Sequence, residues 1–66
     1  MTWNYKKKVL HVLRNSSMPM DIENVRVKAG IKSWVTSKSV LLELLCEGKI
    51  SGQKTTKSWI FWVDQQ

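Results

Sequence analysis

A chain of 66 residues with one cysteine and one histidine excludes a good deal at once. It suits one domain that buries only about 60% of its extended surface, and it holds neither an internal disulfide nor four zinc ligands drawn from cysteine and histidine. Eleven Lys and Arg against five Asp and Glu leave a net charge of +6, which favours an acidic partner, nucleic acid ahead of an anionic membrane surface. No apolar run approaches the ~18 residues of a membrane-spanning helix, and no long apolar segment follows the N-terminal basic residues as in a secretory leader. The lone thiol at Cys46 fits a reducing, intracellular setting, whether cytoplasm, nucleoid or nucleus.

The first predicted element is a helix over about residues 3–15, where Tyr5, Val9, Leu10 and Leu13 recur at helical spacing and Val12 edges the stripe. Thr2 or Asn4 is placed to cap its start. Lys6, Lys7, Lys8 and Arg14 give it four cations and no acid. A run of this kind is more often a solvated helix face than a contact surface. Asn15 to Met20 reads as a linker, in which Pro19 biases Met18 away from helix.

Asp21 then caps a second helix over about residues 22–29, with Ile22, Val25 and Ala29 inward and Glu23 near the positive end of the helix dipole. Gly30 stops it, and Ile31 turns into the core. Lys32 to Val35 connects onward, with Trp34 read as a core or lid residue. The third helix is expected over about residues 36–47, capped by Thr36 and stopped at Gly48. Leu41, Leu44 and Leu45 form its rear, and Ser37, Lys38 and Ser39 its front.

After Gly48 the period changes from helical to alternating. Strands are expected over about residues 49–53 and 58–63, joined by a polar tip at Lys54, Thr55, Thr56 and Lys57. The second strand is all aromatic or β-branched from Trp59 to Val63. Alternation sends Trp59, Phe61 and Val63 to one face and Ile60 and Trp62 to the other. A two-stranded ribbon leaves that second face bare, so Trp62 calls for cover from Trp3 or from a partner. Trp62 and Trp3 are therefore the candidates for a partner interface.

Three helices followed by a two-stranded β-hairpin make a small α+β domain over residues 1–66. In this order the chain resembles a winged helix-turn-helix domain. The likeness is carried by Val9-Leu10-x-x-Leu13, by Pro19-Met20-Asp21-Ile22, by Ala29-Gly30-Ile31, by Leu41-x-x-Leu44 running into Glu47-Gly48-Lys49-Ile50, and by the aromatic last strand. The third helix and hairpin are also similar to the winged helices of meiotic strand-exchange accessory factors. The winged helices that bind left-handed nucleic acid use an Asn and a Tyr where Lys38 and Leu42 stand here, and a Pro-rich wing that this chain lacks.

The resemblance implies a recognition helix in the major groove of duplex DNA and a wing on the flanking backbone. It places Ser37, Lys38 and Ser39 on the helix and Lys54, Thr55, Thr56 and Lys57 on the wing, with Lys28 and Lys32 adding contacts. No Arg stands in the third helix, so the expected grip is on phosphates more than on guanine edges. A small transcriptional regulator or DNA-associated factor is the function this implies. The alternative is a protein-interaction winged helix, a dimerisation or assembly module, since four Trp in so short a chain are hard to bury. Scattered carboxylates and isolated glycines speak against an enzyme. No cofactor, metal, membrane or small-molecule substrate is expected.

Overall fold

The structure, a computed structural model, describes residues 2–63, with side chains from Asn4 to Val63. Its elements run α1 (Thr2–Arg14), β1 (Met20–Asp21), α2 (Ile22–Ala29), α3 (Trp34–Cys46), β2 (Ser51–Lys54) and β3 (Trp59–Trp62). Each helix packs on the other two, and the sheet closes the remaining side. The class is α+β, as expected. The sheet differs from a two-stranded hairpin: it has three antiparallel strands in the order β1-β3-β2.

The extra strand is the end of the expected linker. Met20 pairs with Phe61 and Asp21 with Ile60. Asp21 serves two elements at once, because its Oδ1 also accepts the Asn24 amide at 2.8 Å and caps α2. A strand of two residues has no period to read, so only the cap was visible in the sequence.

The core gathers Val9 and Leu13 of α1, Ile22, Val25 and Ala29 of α2, Val40, Leu41 and Leu44 of α3, and Met20, Ile31, Ile50 and Phe61 from the connections and sheet. Phe61 is wholly enclosed. Burying an aromatic ring this completely contributes about 1.5–3 kcal/mol relative to leaving it in water.

α3 begins two residues before its expected start. Ser33, not Thr36, is the cap, and its Oγ accepts the Thr36 amide at 3.2 Å. The earlier start brings Trp34 into the first turn. The buried stripe runs through Ser37, Val40, Leu41 and Leu44, and Leu45 is half-buried. At the other end the Gly48 amide donates to Leu45 O at 3.1 Å and the Lys49 amide to Leu44 O at 3.0 Å. This closure needs a left-handed residue, and Gly48 supplies it at φ 76°.

Two ionic clusters hold the helices. Lys6 of α1 reaches Glu47 at 2.7 Å and Glu43 at 3.2 Å, so one cation of the basic run is a bridge to α3 and its C-terminal cap. Arg26 holds Glu23 with Nε at 2.9 Å and Nη2 at 2.7 Å, and its Nη1 donates to Ile31 O at 3.0 Å. One guanidinium thereby fixes the turn between α2 and α3.

Candidate nucleic-acid interface

β2 and β3 place their inward and outward residues by strict alternation. Gly52 lies opposite Phe61 and Lys54 opposite Trp59, while Ser51 faces Trp62 and Gln53 faces Ile60. The pair Gly52 and Phe61 sits over the core. One step further out, Lys54 and Trp59 lie on the same face of the ribbon, where the sheet runs past the core toward the start of α3.

There the ribbon and α3 enclose a cleft of about 320 Å³. Ile22 and Trp59 line it from α2 and β3, Trp34 and Lys38 from α3, and Lys54 and Lys57 from the hairpin. Thr56 and Ser58 complete the rim. Trp59 stacks on Phe61, with ring centroids 5.9 Å apart and planes 13° from parallel, so its position is set by the core. Trp34 keeps 44% of its surface exposed, and the Lys38 ammonium sits 5.4 Å from its ring centre.

Among the described residues the lining holds three lysines and no carboxylate. The acids among the described residues are engaged elsewhere: Glu43 and Glu47 with Lys6, Glu23 with Arg26, and Asp21 with the α2 amide. Hydrogen bonding to Lys6 holds the Glu47 carboxyl below its ordinary range, and hydrogen bonding to Arg26 does the same for Glu23. Both stay ionised and occupied near neutral pH. Three of the molecule's cations thus share the cleft without a described carboxylate beside them, and like charges gathered together favour an anionic ligand.

A larger concavity of about 560 Å³ lies on the opposite face of the sheet. Met18 and Pro19 meet Ile60, Trp62 and Val63 there, and no charged side chain among the described residues lines it. The outward pair expected from alternation, Ile60 and Trp62, is therefore half-covered by the loop that leads into β1. The side chain of Trp3, the other expected cover, lies outside the described residues.

Comparison with family models, with curated proteins and with solved structures finds no match for this chain. A functional reading must therefore be argued from the site itself.

Of the residues expected to meet DNA, the structure brings Lys38, Lys54, Lys57 and Thr56 to one cleft. Lys28, Lys32 and Ser39 are exposed but lie outside its lining. Ser37 is a correction: it is fully buried in the stripe of α3 and presents nothing outward. Thr55 lies outside the lining as well. Its hydroxyl donates to Ser58 O at 2.8 Å and accepts the Ser58 amide at 3.0 Å, so it closes the hairpin turn while staying exposed. Trp34 and Trp59 are the site residues that sequence reasoning missed. The signal for Trp34 was the cap-competent Ser33 immediately before it, which moves the helix start and turns the ring toward the hairpin.

Proposed function

We propose that the protein binds duplex DNA through the cleft between the N-terminal half of α3 and the β2–β3 tip. The single observation that carries this reading is the convergence of Lys38, Lys54 and Lys57, from two separate elements, on a lining with no carboxylate among the described residues. The succession of α2, a turn fixed by Arg26, α3 and then a hairpin supports reading the domain as a winged helix. In that arrangement α3 lies along the major groove and the hairpin grips the adjacent backbone. The three ammonium groups take phosphates, and Thr56 donates its hydroxyl beside them.

The outward line of α3 runs through Val35, Ser39, Glu43 and Cys46, and no cation or amide stands on it. Base-edge discrimination asks for Arg, Asn or Gln, so the binding proposed is positional, driven by release of counterions. A DNA-associated factor or small regulator with modest sequence preference fits this chemistry, and no catalytic role is assigned to it. Anisotropy with a short labelled duplex at low salt tests the reading. Dissociation constants in roughly the micromolar range are expected, rising steeply with salt. A variant with Lys38, Lys54 and Lys57 all changed to Ala should lose binding, and retention of wild-type affinity would refute the assignment.

The uncharged groove at Ile60, Trp62, Met18 and Pro19 favours a second reading, a protein partner or a second copy of the chain on the outer sheet face. Sedimentation at high concentration separates the two, because self-association through this face leaves the lysine cleft open.

A further inference from the structure

The cleft holds more than a phosphate site requires. Lysines alone would suffice to grip a duplex backbone, yet two indoles share the lining with them. Trp34 is left 44% exposed in the first turn of a helix, where a polar residue would be better solvated. Trp59 is half-buried, with Phe61 stacked behind it as a rigid backing. Lys38 lies over the Trp34 ring at 5.4 Å, which orients that ring and sets a cation at its surface.

Aromatic faces interleaved with ammonium groups are the chemistry of a base-stacking platform with a phosphate rail. Within a continuous duplex each base has both π-faces covered by its neighbours and offers nothing to an indole. An unpaired nucleotide offers a whole face. We propose that this cleft binds an unpaired nucleotide within or beside a duplex, its base packed against Trp34 and Trp59 and its flanking phosphates held by Lys38, Lys54 and Lys57. The inference rests on the nucleic-acid reading above and adds a substrate class to it: interrupted duplex, bulged or partly single-stranded, ahead of continuous duplex.

The test compares duplexes of one length and one pair of ends. The first is continuous, the second carries one extra central thymidine, and the third carries an abasic residue in place of that thymidine. The abasic duplex shares the bend and the additional phosphate but lacks the base. The thymidine bulge is expected to bind about tenfold more tightly than the continuous duplex, with the abasic bulge close to the continuous one. Trp34→Leu should bring the ratio of bulged to continuous affinity down to about one, and Trp34→Phe, which keeps a π-face, should retain part of it. Circular dichroism melts confirm that both variants fold, and Trp59→Leu provides an independent variant on the other wall. Free thymidine monophosphate should compete far more weakly than the bulged duplex, since it lacks the flanking backbone.

Equal affinity for continuous and bulged duplex overturns this inference and leaves the duplex reading standing. So does an abasic bulge bound as tightly as the thymidine bulge, or a preference that survives both Trp variants. Competition by the free nucleotide at parity would move the ligand to a mononucleotide and also overturn it. Failure to bind any of the three duplexes removes the nucleic-acid reading itself.

Discussion

Gly52 lies directly opposite Phe61 in the ribbon, so close that a β-carbon on Gly52 would fall 2.8 Å from the ring Cδ1 and 3.0 Å from Cε1. The ring cannot swing aside, because it is fully enclosed by the core. The glycine is thus required by close approach, and the approach sets how far β2 leans over the helices.

Gly52→Ala is therefore expected to cost about 1–3 kcal/mol by overpacking, measured by urea denaturation. It should weaken DNA binding as well, since β2 carries Lys54 two residues further along. Adding Phe61→Leu to Gly52→Ala relieves the clash, and the double variant should lose less than the sum of its parts. Strict additivity would show that the contact is not the source of the loss.

Ser37 presents the opposite case, a polar group enclosed without a partner. Its Oγ is buried and finds no hydrogen-bond acceptor or donor among the described residues. An unmet hydroxyl carries a desolvation penalty, and Ala is the better helix former. Ser37→Ala should raise stability by about 1 kcal/mol while duplex affinity stays as it is. A destabilisation of similar size would mean that the hydroxyl is engaged.

The same residue shows where legibility ended. The apolar rear of α3 at Leu41 and Leu44 could be read directly, because leucines at helical spacing have few other uses. A serine in the stripe could not, since its chemistry belongs equally on a surface, even though helical phase puts it four residues before Leu41 on the same face. The α2 helix was legible to the residue, for Asp21 and Gly30 bracket it with unambiguous chemistry. β1 was not, because its two residues pair through backbone groups that every residue carries. The lysines of the site were legible from charge. Their gathering with Trp34 and Trp59 depends on the fold, which brings the start of α3 beside the hairpin tip.

That gathering predicts which lysines report on DNA. If Lys38, Lys54 and Lys57 each meet one phosphate, each Ala variant should lower the slope of log affinity against log salt by about 0.9. Lys28→Ala and Lys32→Ala, outside the lining, should change the slope little. Anisotropy titrations at several salt concentrations supply the comparison. A drop at Lys28 as large as that at Lys54 would move the binding surface away from the cleft.

The bridge from Lys6 to Glu47 and Glu43 predicts how stability follows pH. Hydrogen bonding to Lys6 lowers the Glu47 carboxyl below its ordinary value of 4.5. A carboxyl depressed in the folded state stabilises it above about 4.5, and that contribution fades as pH falls through the folded value. Glu23, lowered by Arg26, adds in the same window. Lys6 itself is raised above 10.5, first by its hydrogen bond to Glu47 and then by that to Glu43. Its contribution is fully present below about 10.5 and fades as pH rises through the folded value. Melting temperatures of the wild type should therefore fall as pH drops below about 5, and fall less in Lys6→Met, which keeps most of the aliphatic stem and removes the cation. High salt should narrow the gap, because the carboxylates are partly exposed and the bridge is screened. Parallel acid profiles for the two proteins would show that the bridge contributes nothing to holding α1 against α3.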